Sequence, residues 1–450
     1  MISQRIALRV LLSIASLLTA CAPGSSPSPA EKPTSATTAT SPAGESPTPL
    51  PTATPPLVAE FSDLTLVPGR LAGDWSVVGL ITNGSDRAVR GVQLDVSLFD
   101  AADALLALQT VTPALTILAA RGTSPFSARF TSVGEADHVR VEVISYVSSN
   151  EPSATVAVEA LEARPTGDGR MAAYGVVVND GRQTVEIVNL ALMAISPSGE
   201  PMALSGEAEG LSVLHPGASA PFVAVVDTGD RSISLRAFSV AQPISSPSEP
   251  AIALSGPVQI QAAGDGSPLV IATLHNDGHD WFTADVVVEL HLGDQLVGLG
   301  ELELPWPLAP GESRPFMMSE FPGALERIRS LGTDPRNLLA RLEIDPAGSR
   351  RSDSPPVMLE ADITAQNVIQ GSLFLKGTLT NDTSEQIDRP SAVIAIHSTQ
   401  GEVIAAGFVV AGPEIAAGQS LPFILTLRLP VDTDLAMAEF DLRAGGFHHP

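Results

Sequence analysis

Four times along this chain an apolar run closes on an Asn at a turn, and about forty residues later a Pro-Phe pair opens another apolar run. The first element reads "GLITNGSD" at 79–86, "GVVVNDGR" at 175–182, "ATLHNDGH" at 272–279 and "GTLTNDTS" at 377–384. Its asparagines, Asn83, Asn179, Asn276 and Asn381, are 96, 97 and 105 residues apart. The second element is Pro125-Phe126, Pro221-Phe222, Pro315-Phe316 and Pro422-Phe423, so each Asn precedes its Phe by 43, 43, 40 and 42 residues. Two landmarks that keep their separation through four copies define a repeated unit, and each copy must fold in the same way.

Within a copy the hydrophobic period is two. "VQLDVSL" at 92–98 puts Val92, Leu94, Val96 and Leu98 on one face and Gln93, Asp95 and Ser97 on the other, the pattern of a half-buried strand. A Gly-containing turn precedes each Pro-Phe pair, as in "LAPGESRPF", and a further alternating run such as "VRVEVISYV" closes the copy. Copy three also contains "GALERIRSL" at 323–331, where Leu325, Ile328 and Leu331 recur at helical spacing and predict a short helix. Six or seven strands in roughly 95 residues predict an immunoglobulin-like β-sandwich. The expected fold is all-β, with four tandem sandwiches at 57–149, 152–244, 248–347 and 355–450, joined through "SSNEPS", "SSPSEP" and "RRSDSPP" as a semi-rigid rod.

The N-terminus supplies an address. Residues 1–20 carry Arg5 and Arg9 ahead of an apolar run from Val10 to Leu18, the layout of a secretory signal peptide and too short for a membrane span. The single cysteine, Cys21, follows Leu18, Thr19 and Ala20, and no intrachain disulfide is available to it. "LTAC" resembles the lipobox of bacterial lipoproteins, which implies lipidation of Cys21 and anchoring to the cell membrane, or to an outer membrane where there is one. Between Ala22 and Pro56 lie 10 Pro, 6 Ser and 7 Thr in 35 residues, a composition that cannot offset its ordering entropy by burial. Residues 21–56 therefore read as the lipidated Cys and a disordered tether.

Lys32 and Lys376 are the only lysines, and acids outnumber bases by 50 to 25. Loss of Arg5 and Arg9 with the signal peptide takes the formal charge from −25 to −27. Such a surface repels phosphate backbones and anionic headgroups, which excludes nucleic acid as a partner and leaves membrane contact to the lipid.

Copy one, with "VSLFDAADALL", resembles the FxLYD domain of bacterial surface lipoproteins, the motif falling on Val96, Leu98, Phe99 and Asp100 with Phe where that family has Tyr. Copy three, from "LHNDGHDWFTADVVVELHLG" to "GESRPF", is similar to CARDB adhesion-type modules. Both resemblances imply an immunoglobulin-like fold, and neither brings catalytic residues.

Signatures of enzyme chemistry are missing from the sequence: it has no G-x-S-x-G elbow, phosphate loop, H-E-x-x-H or C-x-x-C. Around the copy-three turn, His275 and His279 stand near Asp277 and Asp280. In the other copies the residues one before and four after the Asn are Thr82, Arg87, Val178, Gln183, Thr380 and Glu385, so no ligand set is kept and neither metal nor cofactor is expected. The candidate binding residues are His279, Trp281, Phe282 and Trp306, since an exposed Trp stacks on sugar rings or anchors a protein partner. The functional expectation is a non-catalytic, membrane-anchored extracytoplasmic rod that acts structurally, adhesively or by binding an extracellular protein. The alternative is a cell-surface glycan-binding protein that uses the tryptophans of copy three.

Overall fold

The computed structural model describes residues 58–69, 71–150, 153–228, 231–245 and 251–448. The expected signal peptide, the lipobox-like Leu18-Thr19-Ala20, Cys21 and the expected tether lie outside the described residues. The chain is nearly all β, built from antiparallel sheets, as the period-two pattern predicts. Among the described residues the helical elements are Ala324–Leu331 and the 3-10 turn Pro335–Asn337. The helix falls where its spacing predicted, with Ala324 and Ile328 buried and Leu331 packed beside them.

Each copy contributes two main sheets that face one another, and copy three adds the two-stranded pair of Trp281–Phe282 with Arg351–Ser352. One main sheet, here the hairpin sheet, holds the strand that runs up to the landmark Asn, paired with the strand that carries Pro-Phe. In copy one these are Trp75–Asn83 and Thr123–Phe130, flanked by Ala59–Pro68. The other, the partner sheet, is built on the long strand after the Asn turn: Ala88–Phe99, Val185–Ile195, Asp285–Leu292 or Ile387–His397. Between the two sheets of copy one, Val77, Ile81 and Phe126 meet Val92, Leu94, Val96 and Leu98. The β-branched and Leu-rich composition of these strands suits a pleated surface covered by a second sheet.

The landmarks have specific mechanical roles. Register places Phe126 opposite Gly79, Phe222 opposite Gly175, Phe316 opposite Ala272 and Phe423 opposite Gly377. At the three glycines a β-carbon would lie 3.0 Å or less from the ring, so the small residue is the seat of the Phe. The buried Asn four residues later fastens the turn.

Apolar contact continues from copy to copy. Val78 and Leu80, on the outer face of the first hairpin sheet, pack on Met193, Phe238 and Val240 of the second partner sheet. Tyr174 and Val223 of the second hairpin sheet meet Val287 and Leu299 of the third partner sheet. Leu269, Ile271 and Met317 of the third hairpin sheet join one core with the fourth copy. Three times, then, the hairpin sheet of one copy is covered by the partner sheet of the next, and Pro56–Pro450 forms one compact unit. Strands inside this series are buried on both faces, whereas Glu360–Ile369 and Ser420–Arg428 of the last sheet alternate with an exposed side.

Candidate functional site

The copy-three turn is built around Asn276, whose polar atoms are all engaged. Its Oδ1 accepts from the Gly278 N–H (2.9 Å), and its Nδ2 donates to Asp280 O (2.8 Å) and Leu308 O (3.0 Å). The same three bonds recur at Asn179, with Gly181 N–H (3.0 Å), Gln183 O (2.8 Å) and Leu214 O (2.9 Å). Asn83 and Asn381 repeat them with Arg87 O and Glu385 O as the near acceptors. All four residues are at most 1% exposed. A side chain so used ties the turn to the segment that precedes the Pro-Phe strand, and its buried oxygen is committed to the turn's own backbone.

The neighbouring groups do not converge either. His275 bonds Ser313 Oγ through Nδ1 (2.9 Å) and stands 3.3 Å from Asp277, while His279 is exposed and Asp280 pairs with Arg351 (3.3 Å). Among the described residues no group of three His, Cys, Asp or Glu is placed to hold a metal ion. At the C-terminus His448 pairs with Glu385 (3.0 Å).

The two candidate tryptophans part company. Trp281 and Phe282 form a short strand against Arg351–Ser352, and both are half-buried. Trp306 is 2% exposed, with the Arg314 guanidinium 5.0 Å from its ring centroid. Arg314 is itself buried and bonds Glu312 and the carbonyls of Trp306 and Pro307, and burial lowers its pKa from the usual arginine range. Between Pro305 and Pro307 the indole packs inward, where the fourth copy adds Gly445, so Trp306 is not the exposed ring that a stacking site needs.

A concave site unmarked by any motif lies where copies one, two and three approach. It is a cleft of about 830 Å³ whose walls include Glu207, Glu209, Asp285, Glu301 and Glu303. Burial, and secondarily the Glu303 and Asp345 carboxylates, push Asp285 up to about 6. Burial is also the main cause that takes Glu301 to about 7, and it raises Glu209. Among the described residues Asp285 Oδ1 has no hydrogen-bond partner.

No family model matches this chain, and no curated protein matches it. Function therefore rests on the site and the fold. The cleft gathers carboxylates from strands that are distant in sequence, Glu209 from one copy and Asp285, Glu301 and Glu303 from the next. Sequence reading had no spacing by which to find them. The trace in the sequence is acids set among apolar residues, as in "DVVVEL" and "LGELEL".

Proposed function

We propose that the chain is a non-catalytic, lipid-anchored extracytoplasmic protein in which four immunoglobulin-like repeats form a stiff column on a Pro/Ser/Thr tether. The observation that carries this reading is the repeated covering of one copy's hairpin sheet by the next copy's partner sheet. Buried joints such as Val78 and Leu80 against Met193 and Phe238 resist bending, which suits a part that holds its far end at a fixed distance from a surface. The "LTAC" sequence and the composition of 21–56 support the anchor and tether, and the likenesses to FxLYD and CARDB modules support a surface role. The expected partner is an extracellular protein met by loops or sheet edges.

Two experiments test the reading. Cys21→Ser should move the protein from the membrane fraction to the soluble extracytoplasmic fraction, and an unchanged distribution would refute the anchor. Capture from native envelopes with the folded region as bait should recover a protein partner that survives glycosidase treatment. The glycan alternative is favoured only by the part-exposed Trp281, since Trp306 is buried. Unchanged polysaccharide binding by Trp281→Ala would eliminate it.

A further inference from the structure

The second and third copies meet on a face where apolar and acidic groups are segregated. One part is the apolar patch of Tyr174, Val223, Val287 and Leu299, with the Arg164 guanidinium over the Tyr174 ring and bonded to the Val297 and Leu296 carbonyls. The other borders the cleft, where backbone donors of the second copy reach carboxylates of the third. Gly210 N–H donates to Glu301 Oε2 (3.2 Å), Ser212 N–H donates to Asp345 Oδ1 (3.2 Å), and Ser212 Oγ donates to Asp345 Oδ2 (2.6 Å). Glu209 enters from the second copy beside Glu301, Glu320 acts on Glu209, Glu207 lines the same cleft, and Asp285 and Glu303 sit on the Glu301 face of the third partner sheet. The cations that bear on these groups are Arg350, acting on Asp285, Arg389, 3.5 Å from Glu303, and Arg170, which interacts with Glu320. Acids outnumber bases, so full ionisation sets like charges against one another in a partly desolvated joint.

We propose that this joint is a proton-operated latch, closed while Glu301 and Asp285 hold protons and loosened when they ionise. Burial raises Glu301 from its ordinary 4.5 to about 7, the second copy's Gly210 N–H opposing the rise and its Glu209 carboxylate adding to it, while Asp285, raised to about 6 by burial and by Glu303 and Asp345 of its own copy, adds its charge to Glu301. An acid whose pKa is raised on docking binds more protons in the docked state. Docking therefore strengthens as pH falls through about 7 and is free of this penalty below the ordinary carboxylate values. Among the described residues neither the first-to-second nor the third-to-fourth joint has such a cluster: Thr116 bonds Asn189 in one, and Arg428 meets Asp265 and Ser267 in the other. The device is thus local to one joint and would change the reach or angle of the outer copies with the acidity of the medium.

Hydrogen exchange on the full-length chain tests it. After correction for intrinsic rates, the amides of Gly210 and Ser212 should be about tenfold better protected near pH ~5 than near pH ~8. The Ser85 amide, bonded to Asn83 in the first copy, should not change. Glu301→Gln combined with Asp285→Asn should keep Gly210 and Ser212 protected at both values. Equal protection of the wild-type amides at the two pH values overturns the proposal, and so does a pH difference that persists in the double variant. Should the double variant fail to fold, Glu301→Gln alone must at least halve the wild-type difference.

Discussion

Phe423 lies in the space that a side chain on Gly377 would need: a β-carbon there would be 2.3 Å from its Cζ. The pair is held in register between Ser372–Thr380 and Ser420–Arg428, so neither backbone can withdraw without unzipping the sheet. Gly377→Ala should therefore destabilise the chain by about 1–3 kcal/mol, the usual range for overpacking. Ala272 occupies the same place opposite Phe316, where the third copy has already made room. Ala272→Gly should cost less than about 1 kcal/mol, chiefly through added freedom in the unfolded chain. Urea unfolding of both variants checks the contrast, which fails if the two are equal.

Asn179 is the most economical test of the turn staple. Replacement by Ala removes both amide donors and strands the Gln183 and Leu214 carbonyls, for a loss of about 1–3 kcal/mol. Asp keeps an acceptor for the Gly181 N–H but turns a carboxylate toward two carbonyl oxygens. Asn179→Asp should accordingly be worse than Asn179→Ala at neutral pH and recover in acid, as thermal unfolding would reveal. Calcium should shift neither midpoint.

Much of this was legible in the sequence, for a physical reason. Strict alternation in "VQLDVSL" marks a sheet with one wet face, and that strand does sit in an end sheet. Fixed landmark spacing marks a rigid internal contact, and Phe opposite Gly or Ala is that contact. Less accessible was the covering of one copy by the next. Its signal is the change from alternation to unbroken runs such as "VVGLI", "AAYGVVV" and "NLALMAI", which is what two-sided burial writes into a strand. The Glu209, Asp285 and Glu301 cluster left no trace of that kind, because its members are brought together only by stacking. Trp306 shows the converse limit: the sequence offers it as a binding candidate, and a neighbouring copy decided otherwise.

Asp285 offers a pH measurement independent of the latch amides. Its folded pKa of about 6 lies above the ordinary 3.8, so the charged form weakens the fold above about pH 6 and the weakening disappears below about pH 4. Asp285→Asn should raise the thermal midpoint at pH ~8 and leave it nearly unchanged at pH ~4. A variant that lowers the midpoint at both values would mean that the carboxylate serves the fold through a bond its neighbours require.

Lys376 is the one lysine in the described residues, and its position carries meaning. It stands five residues before Asn381, where the other copies have Val78, Tyr174 and Ile271, each buried against the next partner sheet. Across the ladder from it, Ile424 is 59% exposed, where Val223 and Met317 are covered in their own copies. The last hairpin sheet therefore has the geometry for one more partner sheet, but a charge sits at its centre. At the other end Asp95 and Ser97 point outward from the first partner sheet. An array that stacks head to tail inside one chain would continue between chains if its end faces were apolar, and an exposed lysine on such a face opposes that. Lys376→Ile should produce concentration-dependent self-association in sedimentation experiments, while Lys376→Gln should remain monomeric or nearly so. If Lys376→Ile behaves like the parent chain across the accessible concentration range, the lysine is an ordinary surface charge and the end of the array is set by shape alone.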